Sequence, residues 1–184
     1  MSFTMLDAGL DHQDREVAVD PLNPKAGSFR VTFQPIPVGK YRSLCKDLED
    51  KRAYLAKVND LIKDPISFEG VTDFDEVERL STDRDRKVKA REKAEEALYL
   101  SLLSFVGWGI IGFSEIVKPD LTPYPPAQPK AVKWGGYNYL NLDDETLHLF
   151  GRLGLLWQLA YCILAFNNGQ LPETLEGFYK QDPK

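Results

Sequence analysis

Residues 83–108 constrain this chain more than any other stretch. Asp83 to Glu96 is almost entirely charged, Ala97 to Val106 is largely apolar, and the run stops at Gly107-Trp108-Gly109. The pattern predicts one helix that leaves water and enters a core. A helix of that kind, ending on a glycine-flanked tryptophan, suits a protein built for docking. The charged half holds two i,i+4 pairs, Asp83 with Lys87 and Asp85 with Lys89, each worth a few tenths of a kcal/mol. Arg84, Arg86, Lys87, Lys89, Arg91 and Lys93 form a basic cluster. Its plain reading is a solvated helical face, and its sharper reading is a site for an acidic partner.

The remaining periodicity predicts a mainly α protein. It would be a helical bundle of three to four helices, with a short N-terminal strand and a small β-hairpin. Residues 28–34 alternate, with Phe29, Val31 and Phe33 on one face, and Pro35 and Pro37 end the strand. Tyr41, Leu44, Leu48, Leu55, Val58 and Ile62 recur at helical steps over residues 38–63. Residues 65–82 read as a connector with some short helix, in which Phe68, Phe74, Val77 and Leu80 could supply a satellite of the core. Two glycines, Gly135 and Gly136, lie between short apolar runs, which favours a tight hairpin over 131–142. Residues 143–167 read as one last helix, capped by Asn141 or Asp143 and apolar on nearly every face beyond Gly151. A helix of that character is either the centre of the bundle or partly an interface.

The expected organisation is a flexible acidic arm over 1–27, a single helical domain over 28–168 and a C-terminal tail over 169–184. Leu175, Phe178 and Tyr179 of that tail could pack back. Five prolines between Pro119 and Pro129 make 117–130 a stiff surface loop, or an extended segment for an aromatic-lined groove. The net charge of −5 argues against nucleic acid as the main partner. The most apolar run, Leu153 to Phe166, is too short for a bilayer, which needs roughly 20 residues. Cys45 and Cys162, the only cysteines, read as two buried free thiols. No signal peptide is expected at the N-terminus, so a reducing cytoplasm is the expected location.

Catalytic and cofactor motifs are missing from the sequence. His12 and His148 are the only histidines, and neither belongs to a metal-ligand spacing. The glycine patterns that cradle phosphates are absent. Cys45 and His148 could act as nucleophile and base only if the fold brought them together. No enzyme activity, metal or cofactor is expected, and a binding role is the better reading.

Two segments carry a resemblance. Phe29-Arg30-Val31-Thr32-Phe33 leads through Pro37-Val38-Gly39-Lys40-Tyr41-Arg42-Ser43-Leu44 into a charged helix. Ala97 to Val106 runs into Gly107-Trp108-Gly109, followed by Leu142-Asp143-Asp144-Glu145-Thr146-Leu147 and an apolar helix. This order resembles the tail assembly chaperones of long-tailed bacteriophages, over about residues 29–167. The proline-rich stretch 117–129 and Gly135-Gly136 depart from that pattern and look like an insertion. The resemblance implies a non-enzymatic protein in the host cytoplasm that binds the tape-measure protein and recruits tail-tube subunits. A homo-oligomer is compatible with it.

Such a chaperone needs an apolar groove with a charged rim, since a tape-measure chain exposes apolar helical stripes that aggregate. Leu102, Phe105, Trp108, Trp157 and Tyr161 are the residues expected to line that groove, with the aromatic ones as anchors. The competing reading is that these five fill one core. A structural virion component, either a head–tail connector or a tail-completion protein, is the alternative function. An acidic mimic of nucleic acid ranks below both, because charges of both signs alternate along the chain.

Overall fold

Phe29, Val31 and Phe33 bury on one side of a strand whose Arg30 stays exposed, as the alternation demands. In the computed structural model this strand is the middle one of three. The structure describes residues 13–18, 28–63, 66–67, 69–114, 116 and 123–167. The antiparallel sheet is ordered β1 (Gln13–Ala18), β2 (Ser28–Phe33) and β3 (Ile110–Ser114).

β1 corrects the expectation of a loose arm over residues 1–27. Residues 13–18 pair with the edge of β2, with Asp14 opposite Thr32. The Thr32 hydroxyl donates to Asp14 Oδ1 at 2.6 Å, and Val17 is buried. A scatter of acidic residues hides such a strand, because the pairing partner lies outside the local window. The rest of the arm, including His12, lies outside the described residues, as do residues 168–184 and Pro119.

The fold is mainly α, as the periodicity predicts. Among the described residues the helices are α1 (Val38–Ile62), α2 (Phe74–Gly109), α3 (Asp144–Arg152) and α4 (Leu156–Asn167). A separate hairpin joins β4 (Lys130–Trp134) to β5 (Tyr137–Asn141). Gly135 and Gly136 form its two-residue turn with φ of 57° and 86°, the positive values a type I′ turn requires.

Two helical expectations need correction. α2 begins at Phe74, inside the predicted connector 65–82. Asp73 starts it: its carboxylate accepts from the Asp75 N–H at 3.2 Å and its carbonyl from the Val77 N–H at 3.0 Å. The predicted helix 143–167 is two helices bent by 114°. Gly154, at φ 70°, ends the first of them. The Leu155 N–H donates to the Phe150 carbonyl at 3.0 Å and the Gly154 N–H to the Gly151 carbonyl at 3.1 Å, the paired bonds of a Schellman stop. α3 is amphipathic, with Leu147, Leu149 and Phe150 buried and Asp144, Glu145 and His148 exposed, whereas the all-round apolar character belongs to α4 itself.

The chain divides into two compact units where a single domain over 28–168 was expected. One unit draws on residues up to Tyr41 and from Leu103 onward; the other is Arg42–Leu102. The first unit holds both sheets, α3 and α4. Its core is aromatic: Phe150 lies 6.5 Å from Phe29 and 5.5 Å from Phe113 between ring centres, and Phe33 stacks 5.7 Å from Phe166. The second unit is a helical hairpin. The Ser101 hydroxyl donates to Asp47 Oδ2 at 2.6 Å, and Tyr54 faces residues from Thr82 to Lys93. These contacts set the helices antiparallel. Leu44, Leu48 and Val58 of α1 are buried, as are Ala94, Leu98 and Leu102 of α2.

Candidate partner-binding surface

The glycine-flanked tryptophan marks a junction inside the first unit. There α2 turns into β3 with no intervening loop. The last carbonyls of a helix lack partners within it, and here other segments supply the donors. The Leu142 N–H donates to the Gly107 carbonyl at 3.0 Å. The Gln34 side-chain amide donates to the Trp108 carbonyl at 2.9 Å, and its backbone N–H to the Gly109 carbonyl at 3.0 Å. The same Gln34 amide donates to the Leu140 carbonyl, so one buried side chain ties the exit of β2 to α2 and β5. A Cβ on Gly107 would come 2.5 Å from Asn141 Oδ1, and one on Gly109 would come 2.6 Å from two atoms of Ile163. Both glycines are there for close approach.

Trp108 is 7% exposed and sits in an aromatic cluster. Trp134 meets it edge-on at 6.2 Å between ring centres, and Tyr139 lies 6.1 Å away. The Lys40 ammonium lies 4.9 Å from the Trp108 ring centre and 5.0 Å from that of Trp134. Such cation–π contacts contribute about 0.5–2 kcal/mol each, depending on desolvation. Lys40 thus fastens the start of α1 to the end of α2 and the hairpin. Nothing in the sequence spacing links Lys40 to Trp134.

The five residues expected to line a groove therefore divide. Leu102, Phe105 and Trp108 are interior, and Phe105 is fully buried with Tyr41 against its ring at 6.2 Å. Leu102 belongs to the helical hairpin, and the other four belong to the first unit. Trp157 and Tyr161 are half-buried neighbours on α4, their rings 6.1 Å apart. An apolar helical end that packs in a core offers no surface to a partner, so of the five only Trp157 and Tyr161 retain an exposed part.

A cleft of about 740 Å³ in the first unit opens at the start of α3. Phe113, Tyr124, Pro126 and Leu149 give it an apolar lining, and Asp144, Lys130 and Arg152 edge it. Asp143 caps α3 and holds the proline segment in place. Its carboxylate accepts from the Thr146 N–H at 2.8 Å, the Thr146 hydroxyl at 2.8 Å and the Gln128 N–H at 2.9 Å. Partial burial disfavours its charge, but these hydrogen bonds outweigh burial and hold the carboxyl below its ordinary value of 3.8. A carboxyl lowered in the folded state stabilises the fold at pH above its unfolded value, and that contribution disappears as pH falls through the folded value. Asp143→Asn keeps one acceptor and loses the charge, so it is expected to cost about 1 kcal/mol at pH 7. The gap to the parent protein, measured by urea denaturation, should narrow below about pH 3.8.

The chemistry of nucleophiles and ligands is sparse. Cys45 and Cys162 form no disulfide with each other and are half-buried rather than fully buried. Burial pushes the Cys162 thiol up to about 12, which leaves it protonated near neutrality and a poor nucleophile. His148 is exposed on α3. Among the described residues no group of three or more His, Cys, Asp or Glu is placed to hold a metal ion. No single described helix is long and apolar enough to cross a membrane.

The helical hairpin exposes large apolar side chains, and two of them, Phe74 and Val77, correct the expected satellite of the core. Phe74 is 78% exposed and Leu61 72%. Val77, Val88, Tyr54 and Leu100 are exposed as well. Leu61 lies one residue before the end of α1, and Phe74 and Val77 open α2. All three therefore sit at the end of the hairpin where residues 63–73 connect the helices. Their sequence signal is a phenylalanine inside the acidic first turn Phe74-Asp75-Glu76, a place where a core contact has no partner helix to meet.

Comparison with known protein families, with curated proteins and with solved structures finds no match.

Proposed function

We propose that this chain is a non-enzymatic assembly chaperone of the long-tailed phage type, which holds a tape-measure protein soluble and recruits tail-tube subunits. The observation that carries the reading is the exposure of Leu61, Phe74 and Val77, which flank the connection between α1 and α2. Scattered exposed apolar residues need no explanation, but three large ones at one helical end favour a partner. A client whose apolar helical stripes await burial in a tube would cover them. The strand-plus-helix opening at 29–44 and the order of segments from Ala97 to Leu147 support the same reading.

The test is co-expression with a long helical tape-measure segment, with turbidity and soluble yield as readouts. The chain is expected to keep the segment in solution. Leu61→Ser, Phe74→Ser and Val77→Ser combined should return it to the aggregation level of the segment alone. Exposed positions of this kind change stability by about 0.5 kcal/mol or less each, so the variant remains folded. A triple variant as effective as the parent would move the surface elsewhere, with Trp157 and Tyr161 next to be tested. A parent chain that holds no tape-measure segment soluble, but is found in purified particles, would replace the chaperone by a structural virion component.

A further inference from the structure

Six of the ten residues from Arg84 to Lys93 are basic, and the structure sorts them into two sets. Lys87 Nζ lies 3.4 Å from Asp83 Oδ2, Arg91 Nε lies 2.7 Å from Glu95 Oε1, and Arg84 Nη2 lies 3.7 Å from Asp85 Oδ1. These three are ion-paired along their own helix. Arg86, Lys89 and Lys93 make no ion pair among the described residues, so of the two expected i,i+4 pairs Asp83–Lys87 forms and Asp85–Lys89 does not. They line a groove with Thr82, Ala90 and Tyr54. At about 100° per residue, Thr82, Arg86, Lys89 and Lys93 fall within one stripe of α2, on the side facing Tyr54. Arg84, Lys87 and Arg91 fall on another. No carboxylate lines the groove.

We propose that this groove docks an acidic helical segment of a partner protein. From Arg86 to Lys93 the stripe rises about 10.5 Å, the span of carboxylates at i, i+3 and i+7 on a second helix. Ala90 and the half-exposed Tyr54 ring offer an apolar floor for the stems of glutamate side chains. A nucleic acid fits less well. The groove carries three charges over a short span, and the carboxylates of Asp83, Asp85, Glu92, Glu95 and Glu96 repel a phosphate backbone that continues past it. The proposal stands apart from the chaperone reading, because its residues and its chemistry differ from those of the apolar hairpin end.

The probe is a labelled, alanine-based 16-residue helical peptide with glutamates at i, i+3 and i+7, titrated with the full chain at low salt and read by fluorescence anisotropy. The groove variant Arg86→Gln, Lys89→Gln, Lys93→Gln is compared with Arg84→Gln, Lys87→Gln, Arg91→Gln. Each removes three positive charges, so a nonspecific attraction weakens equally in both. Loss of three exposed ion pairs should weaken binding by about tenfold or more in the groove variant, against about twofold or less in the other. Helix content by circular dichroism confirms that both variants fold. Equal weakening in the two variants, or no measurable binding by the parent, overturns the proposal. So does tighter binding of a twelve-nucleotide single-stranded DNA, which would assign the groove to nucleic acid. A concentration-dependent dimer lost only in the groove variant would overturn it too, giving the groove to a second copy.

Discussion

Trp108→Ala is expected to cost the first unit about 3–5 kcal/mol, measured by chemical denaturation. The side chain is almost fully buried, and its removal empties the space between Trp134, Tyr139 and the Lys40 ammonium. Three losses coincide there: the transfer energy of a large ring, the cavity left behind, and one half of the lysine sandwich. Because marginal stability is about 5–15 kcal/mol for a whole domain, a loss of this size takes a large share of it. Tryptophan fluorescence should shift red as Trp134 gains water. If Trp108 were a docking anchor, its removal would leave stability nearly unchanged and abolish partner binding. That outcome would sink the packing account given above.

Gly109→Ala is expected to cost about 2–3 kcal/mol, the upper part of the range for overpacked cores. The new Cβ would lie 2.6 Å from Ile163 Cδ1 and Cγ1, and 2.7 Å from Cγ2. Ile163 is fully buried on α4, so the clash is not relieved by a move into solvent. The Ile163 carbonyl also accepts from the Asn167 side chain at 2.9 Å, and Asn167 accepts from the Ile36 N–H at 2.9 Å. Displacing α4 therefore disturbs the exit of β2 as well. Ile163→Ala placed in the Gly109→Ala background should be less costly than the sum of the two single changes, since the second removes the atoms the first collides with. Strict additivity of the two, read from urea midpoints, would show that the clash is relieved some other way.

Legibility followed the range of the interaction. The β2 alternation, the α1 stripe and the Gly135-Gly136 turn are decided within a few residues, and each reads correctly from its window, while the cap of α3 narrows to Asn141 or Asp143, of which the structure uses Asp143. The α2 start was legible too, in Asp73 followed by Asp75 and Glu76, but Phe74 and Val77 suggested a core and masked it. The α3–α4 break rested on one residue, Gly154, whose positive φ no apolar count detects. The candidate binding surface was read least well. Apolar residues on the last turns of α2 looked available for docking, whereas Phe105 and Trp108 are enclosed by segments distant in sequence.

Fold class, the hairpin turn and the charged character of α2 follow from the sequence by itself, because propensity, capping and periodicity act between residues three or four apart. Tertiary structure alone decided which side chains remain for a partner. Burial depends on what arrives from elsewhere in the chain: Gln34 and Leu142 close the end of α2, β1 covers the edge of β2, and nothing among the described residues covers Phe74. The same holds for charge. Arg86 and Lys87 are adjacent and chemically alike, yet helical geometry gives one a carboxylate on its own helix and turns the other toward an open groove.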